Sequence, residues 1–163
     1  MIVSVTKHVT FDSAHYLVNP KWTREENMAR FHKCCLYKPD GSDQPHGHTY
    51  HLEVTVQGEI DPDTGFVIDF KDLKRILNEG VIEKLDHFLI NEIPYFKDSN
   101  IPATAENIIQ YIWRWVKPEI DVLSTPVSKN SFWLESLKLY ETPDSYAYLD
   151  KKMNHLHTCG CGK

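Results

Sequence analysis

The alternation of apolar and polar residues in two stretches is the feature that most restricts how this chain can fold. Between Val3 and Phe11 most odd-numbered positions are apolar and the even-numbered positions are polar. Between Tyr50 and Val56 the even-numbered positions are apolar, and Gly58 follows. A period of two is typical of a β-strand with one buried face. The sequence therefore predicts two half-buried strands, the second ending at Gly58.

Two later segments have the spacing of amphipathic helices, and the last part of the chain has the spacing of strands. Asp69 can cap a helix from about Phe70 to Asn78, which Gly80 would end. A second helix is predicted to begin near Thr104 and to stop at Pro118. Two strands around "TPD" then form a closing hairpin. The order strand, loop, strand, helix, helix, strand, strand predicts an α+β domain, an antiparallel sheet with helices on one face.

The segment 16–45 between the first two strands is too long to be an idle connection. Thr23 and Glu26 have the spacing of a capping box, which predicts a short helix from about Arg24 to Phe31. This helix would deliver Cys34. The following "YKPDGSDQP" is rich in turn-forming residues and predicts a flexible loop.

Length and charge restrict the class of function. The 163 residues fit one domain, over residues 1–150, followed by a tail over 151–163. A net charge of -5 without a basic run argues against a nucleic-acid partner. No apolar run approaches the roughly 20 residues of a membrane span, and the N-terminus lacks the features of a signal peptide. We therefore expect a cytoplasmic protein that acts on a small molecule.

Three histidines have the placement of metal ligands. His46 and His48 are two residues apart, so a strand puts them on the same side, and both share the apolar parity of their strand. His15 also falls on an apolar parity, just past the end of the first strand. Three histidines around a tetrahedral Zn²⁺ leave a fourth position open, as in catalytic zinc sites. Histidines bonded to backbone groups are the alternative, which the third inward histidine makes less favourable.

Three acid–base groups are further candidates. Asp86 precedes His87, and a carboxylate beside an imidazole can orient it as a proton shuttle. Glu141 ends an apolar strand face, where a carboxylate can accept two hydrogen bonds from the N–H edge of a ligand. On spacing alone, a turn pair and an exposed strand-end acid explain these residues better.

The four cysteines form two close pairs, which in a reducing compartment favours metal binding, catalysis or plain thiols over disulfides. Cys34 and Cys35 lie in a polar, basic segment that suits a reactive thiol, but most free cysteines are inert, and the sequence favours neither interpretation. The tail could chelate a soft metal ion. We expect a mobile terminus instead, because nothing apolar follows to order it. Its candidate ligands are His155, His157, Cys159 and Cys161.

Seven segments, taken in order, resemble the 6-pyruvoyl-tetrahydropterin synthase / 6-carboxytetrahydropterin synthase family over about residues 2–149. The resemblance implies the tunnelling fold, a four-stranded antiparallel sheet with two helices on one face. It also implies a homotrimer or homohexamer that closes into a barrel, with active sites at subunit interfaces. The segments are "FDSAH", "HKC", "HGHTYHLEVTVQGEID", "TGFVIDFKDLK", "LDHFLINE", "TAENIIQYIW" and "LKLYET".

The resemblance also implies roles for individual residues. It makes the three histidines zinc ligands and Cys34 the catalytic thiol, with Asp86 and His87 as its partners in proton transfer. Glu141 would anchor the pterin, and the "TAEN" segment would line the pterin pocket. Eleven residues separate Cys34 from His46, more than in short bacterial members, so Cys35 stays an alternative thiol. The implied residues are His15, His46, His48, Cys34, Asp86, His87, Glu141, Thr104 and Glu106.

The implied substrate is 7,8-dihydroneopterin triphosphate. Our first interpretation is a zinc-dependent 6-carboxy-5,6,7,8-tetrahydropterin synthase of queuosine biosynthesis, which releases acetaldehyde and triphosphate. The alternatives are a 6-pyruvoyl-tetrahydropterin synthase, which eliminates triphosphate and keeps the side chain, and a zinc and pterin binder without turnover. A third branch, which serves folate synthesis, usually has Glu in place of the thiol; Cys34 argues against it, although Glu25 and Glu26 lie in the same loop.

Overall fold

A sheet of four antiparallel strands is the largest element of the computed structural model, which describes residues 1–32, 36–124 and 130–152. The order of the strands in this sheet is β1, β4, β5, β6, and β2 pairs only with β3. The strands are β1 (Ile2–His15), β2 (Leu36–Tyr37), β3 (Asp43–Gln44), β4 (His46–Glu59), β5 (Phe132–Thr142) and β6 (Ser145–Asp150). The helices are α1 (Arg24–Phe31), α2 (Phe70–Leu77), α3 (Glu83–Leu85), α4 (Pro94–Lys97) and α5 (Ala105–Leu123).

One face of the sheet is covered by the two main helices. α5 packs against β5 and β6, and α2 packs against α5 and β1. The alternation in β4 places Tyr50, Leu52 and Val54 in the core, whereas His51 points to the exposed face. The predicted α+β architecture with a four-stranded antiparallel sheet is therefore confirmed. No helix in the described part of the chain is long and apolar enough to cross a membrane.

The two predicted helix caps and the closing hairpin are present in the structure. Thr23 caps α1, and its side chain and that of Glu26 make both hydrogen bonds of the capping box. Asp69 caps α2 by accepting a hydrogen bond from the Lys71 amide. The closing hairpin is present as β5 and β6, which pair antiparallel.

The predicted end of α2 near Asn78 agrees with the structure, in which α2 ends at Leu77, but Gly80 and Pro118 do not stop the helical path. Beyond Leu77, a π-helical turn over Asn78–Ile82, which contains Gly80, joins α2 to α3. Gly80 is buried and lacks the positive φ of a helix-ending glycine, and a Cβ placed there would meet Cβ of Trp115 at 3.7 Å, an ordinary contact distance. α5 continues through Pro118, which lies on its exposed side, where the carbonyl that loses its partner can face water.

The predicted flexible loop after α1 is also wrong, since its turn-forming residues build the β2–β3 hairpin. Lys38 donates its amide to Ser42, and Gly41, at φ 85°, closes the turn. The Arg24 guanidinium lies 3.9 Å from the ring centroid of Tyr37, which packs the hairpin against α1. The first strand runs further than the alternation that predicts it, and His15 is its last residue rather than lying just past its end.

A buried asparagine organises the segment before α1. Asn27 is 1% exposed, accepts the amide of Asn19, and donates to the carbonyls of Asn19, Trp22 and Thr23. One side chain therefore holds residues 19–23 against the helix. The two candidate thiols, Cys34 and Cys35, and the candidate ligands of the tail lie outside the described residues.

Candidate active site

Three histidine side chains converge at one end of the sheet. His15 and His46 are register partners, as the last residue of β1 and the first of β4, and His48 follows on the same face. Nε2 of His15 lies 3.0 Å from Nε2 of His46. One ligand atom from each of the three rings lies within 4.8 Å of the others. The predicted ligand set is therefore brought together by the pairing of β1 with β4.

The ring of His15 is held so that one nitrogen faces this cluster. The side chain is 1% exposed, and its Nδ1 lies 2.6 Å from the carbonyl oxygen of Ala103. A carbonyl can only accept, so Nδ1 carries the proton and Nε2 of the neutral ring presents a lone pair. Such a bond from the second nitrogen is the usual way in which a metal-binding histidine is oriented.

The polar atoms of the cluster are not satisfied by the described part of the chain. Neither Nδ1 of His46 nor Nε2 of His48 has a hydrogen-bond partner there, although both atoms are buried. Oε1 of Glu141 lies 3.2 Å from Nε2 of His15 and 3.5 Å from Nε2 of His48. The lone pairs of the histidine nitrogens and the carboxylate of Glu141 are directed at the same space. They repel each other unless a cation lies between them.

The donor set fits zinc. Histidine nitrogens are common zinc ligands, and two ligands of a tetrahedral Zn²⁺ lie about 3.3 Å apart when each is about 2.05 Å from the metal. The separation of 3.0 Å between the Nε2 atoms of His15 and His46 is close to that value. The residues present could therefore hold a zinc ion with at least one coordination position left for a ligand.

The ionisation of these groups also suits a cation. Burial lowers the pKa of His46, and the nearby rings of His15 and His48 lower it further. Burial lowers the pKa of His48 as well, more than the carboxylate of Glu141 raises it. The close contact of its Oε1 with the His15 ring lowers the pKa of Glu141 in spite of its partial burial. Neutral imidazoles beside an ionised carboxylate are the form that binds a metal.

A second cluster contains the predicted acid–base pair. Nδ1 of His87 lies 2.8 Å from Oδ2 of Asp86, and Oδ1 of Asp86 accepts the amide of Asp12. The amide of His87 donates in turn to the carbonyl of Asp12, at 2.6 Å. The Asp12 amide, and then His87, lower the pKa of Asp86. Asp86 therefore orients the imidazole as an ionised carboxylate.

His87 is placed for contact with a group from outside the chain. Its side chain is 79% exposed, and its backbone has a φ of 61°, a strained value for a residue other than glycine. A cavity of about 450 Å³ is bordered by His87 and by His48. One residue of the acid–base pair and one of the histidine cluster thus border the same cavity, although the two clusters form separate groups.

The remaining predicted site residues lie at the start of α5. Thr104 is the N-cap residue, and Glu106 lies exposed in the first turn. Thr104 directly follows Ala103, whose carbonyl contacts His15. Thr104 is therefore one residue away from the carbonyl that contacts the histidine cluster.

Two contributors to the site were missed by the sequence analysis. Asp12 belongs to the second cluster, and its carboxylate accepts a hydrogen bond from the hydroxyl of Thr49, its register partner. Aspartate is disfavoured inside a strand, and this could have identified Asp12 as a candidate site residue. Ala103 acts through its carbonyl, which leaves no signal in the residue type.

Comparisons with known proteins agree with the fold. The family model described as 6-pyruvoyl tetrahydropterin synthase matches residues 4–152. The chain is 37% identical over 142 residues to the 6-pyruvoyl tetrahydrobiopterin synthase of Pongo abelii, covering 86% of each protein. It is 40% identical over 110 residues to that of Homo sapiens, covering 67% of this chain and 70% of the human protein. The structure of Caenorhabditis elegans 6-pyruvoyl tetrahydropterin synthase superimposes with a TM-score of 0.73 at 27% identity, covering 92% of this chain and 96% of the other.

Proposed function

The chain belongs to the 6-pyruvoyl tetrahydropterin synthase family, and we propose that it is a zinc-dependent lyase that converts 7,8-dihydroneopterin triphosphate to 6-pyruvoyl-tetrahydropterin and triphosphate. Curated relatives carry the name 6-pyruvoyl tetrahydrobiopterin synthase. These names favour the triphosphate-eliminating activity over the 6-carboxytetrahydropterin synthase of queuosine biosynthesis that the resemblance alone placed first.

One observation carries the proposal: ligand nitrogens of His15, His46 and His48 converge beside the carboxylate of Glu141. Nδ1 of His46 and Nε2 of His48 are buried there without a hydrogen-bond partner in the described part of the chain. Zinc bound there would polarise the side-chain hydroxyls of the substrate and stabilise negative charge on their oxygens. His15 would be the most rigid ligand, since its ring is buried and bonded to a backbone carbonyl.

The pterin ring would be held by acidic and polar groups beside the histidines. Glu141, ionised and half-buried, can accept two parallel hydrogen bonds from the N–H edge of the ring. Thr104 and Glu106, at the start of α5, would line the same pocket. The exposed position of Glu106 leaves its carboxylate available to a ligand.

Proton transfer would be carried by a thiol and by the Asp86–His87 pair. Cys34, or Cys35 as the alternative, would remove a side-chain proton as a thiolate and return it later. His87 is exposed and held by an ionised Asp86, so it can take up and release a proton while triphosphate leaves.

The sheet also supports an oligomeric protein. β1 and β6 are its two edge strands, and edge strands are commonly covered by another chain. We propose a cytoplasmic homotrimer or homohexamer in which subunits meet along these edges and the active sites lie at the interfaces.

Identification of the product tests the proposal. Purified protein with zinc should convert 7,8-dihydroneopterin triphosphate to 6-pyruvoyl-tetrahydropterin and triphosphate, resolved by liquid chromatography and mass spectrometry. Formation of 6-carboxytetrahydropterin and acetaldehyde would assign the chain to the other activity. Zinc and pterin binding without any product would make it a binding protein.

A further inference from the structure

The edge of β1 that faces away from β4 is held by the segment 86–91. The Asp86 side chain accepts the Asp12 amide, and the His87 amide donates to the Asp12 carbonyl. The Ala14 amide then donates to the carbonyl of Phe88, at 3.0 Å. This segment therefore lies along the last residues of β1 like a short additional strand.

Asn91 completes this contact beyond the end of the sheet. Oδ1 of Asn91 accepts the Tyr16 amide at 2.9 Å, and Nδ2 of Asn91 donates to the Tyr16 carbonyl at 2.9 Å. The pairing of β1 with β4 ends at His15 and His46, so β4 offers Tyr16 no register partner. A single amide side chain thus satisfies both backbone groups of the residue that follows His15.

We propose that Asn91 is a positioning residue for the zinc ligand His15. The proposal rests on the zinc-dependent function proposed above. The ring of His15 is fixed at Nδ1 by the carbonyl of Ala103, but its Cα is the last of the strand. The two hydrogen bonds of Asn91 stop the chain from fraying at the next residue, which keeps Nε2 directed at the cluster.

The amide is the group that this position requires. Alanine leaves both backbone groups of Tyr16 without this partner, and the end of β1 loses its anchor. Aspartate keeps an acceptor for the Tyr16 amide but sets a carboxylate oxygen against the Tyr16 carbonyl, which repels it. Asn91 is only partly buried, so both variants can fold.

The segment 86–91 also links the metal ligand to the acid–base pair. It carries Asp86 and His87 at one end and Asn91 at the other. Displacing its Asn91 end would disturb His15 first, since Tyr16 is the next residue of the chain.

The test compares the zinc affinity of Asn91→Ala with that of a matched control, Asn27→Ala. Asn27 is also a hydrogen-bonded asparagine, but its partners lie in residues 19–23, and none of them is Tyr16 or a histidine of the cluster. Zinc dissociation constants are measured by competition with a chromogenic chelator, and stability is measured by thermal unfolding of the metal-free proteins. Asn91→Ala should weaken zinc binding by roughly tenfold, the lower end of outer-shell effects, and Asn91→Asp by less. Asn27→Ala should lower the melting temperature and leave zinc affinity unchanged.

Two results would overturn the inference, and they can be told apart. Suppose that the unmodified protein binds zinc tightly. Unchanged zinc affinity in Asn91→Ala, or an equal loss of affinity in Asn27→Ala, would then exclude the positioning role of Asn91 and leave the proposed function intact. Absence of zinc binding in the unmodified protein would remove the proposed function as well. Faster hydrogen exchange at the Tyr16 amide in Asn91→Ala would support the stated cause, and unchanged exchange would contradict it.

Discussion

His15 and His46 are paired across β1 and β4, and their Nε2 atoms lie 3.0 Å apart. A single antiparallel register therefore brings together two of the three proposed zinc ligands, and His48 follows on the same face. A shift of the register by one residue would turn the β4 histidines to the other face of the sheet. The histidine cluster thus depends directly on how the two longest strands pair.

Replacement of His46 should remove zinc without unfolding the protein. His46→Ala removes one donor together with a buried nitrogen that has no partner in the described structure. We expect zinc affinity to fall by more than about 100-fold, beyond the range of outer-shell changes. The measurement is the zinc content per chain after dialysis, by mass spectrometry, together with thermal unfolding of the metal-free protein.

His51→Ala is the matched control for that experiment. His51 lies in the same strand but on the exposed face, so its replacement should leave zinc content unchanged. Zinc retained by His46→Ala, or lost equally from both variants, would contradict the assignment of the ligands.

Zinc binding should persist to a lower pH than at a surface histidine site. Protons compete with the metal for imidazole nitrogen, and burial lowers the pKa of both His46 and His48. Zinc affinity should therefore change little as the pH falls to about 6.5, the ordinary pKa of histidine, and drop only below it. Chelator competition from pH 8 to pH 5 measures this, and a loss that starts near neutral pH would contradict it.

The same shifts predict how the stability of the metal-free protein depends on pH. A histidine with a lowered pKa in the folded state binds protons more readily when the chain is unfolded. Its stabilising contribution is complete above the unfolded pKa of about 6.5 and is lost as the pH falls toward the lowered value. Thermal unfolding should show a decrease over this range that is smaller in His46→Ala, and equal decreases in both proteins would contradict this cause.

The parts of the molecule that follow from local patterns could be predicted from the sequence. A period of two fixes which side of a strand is buried, and this placed His15, His46 and His48 on the inner face and His51 outside. The signals at Gly80 and Pro118 do not stop the helical path, because Gly80 lacks the positive φ of a helix-ending glycine and Pro118 lies on the exposed side of α5. Contacts between distant residues were not predictable: Asn91 meets Tyr16 across 75 positions of the chain, and Ala103 meets His15 across 88.

Asp86→Asn should reduce turnover while the fold stays intact. Asparagine keeps an oxygen that can accept the Asp12 amide, but it removes the negative charge that faces His87. Loss of one acid–base partner typically costs about 10²–10⁴ in rate, and we expect kcat to fall within that range. Steady-state kinetics and thermal unfolding measure the two effects.

Asp98→Asn provides the matched control for Asp86→Asn. Asp98 is an exposed aspartate after α4 and is not part of the Asp12–Asp86–His87 cluster. Its replacement should leave kcat unchanged. Equal kcat values in the two variants would show that Asp86 takes no part in proton transfer.

Cys34→Ser and Cys35→Ser, made separately, should identify the thiol. Both cysteines follow closely after α1, and the "HKC" segment assigns the role to Cys34. A serine hydroxyl is far less acidic than a thiol, so Cys34→Ser should lose about 10²–10⁴ in kcat, whereas Cys35→Ser keeps its activity. Zinc content should be the same in both variants, because neither cysteine belongs to the proposed ligand set. Loss of activity in Cys35→Ser alone would mean that the long segment before His46 presents the second thiol, and full activity in both would exclude a thiol from proton transfer.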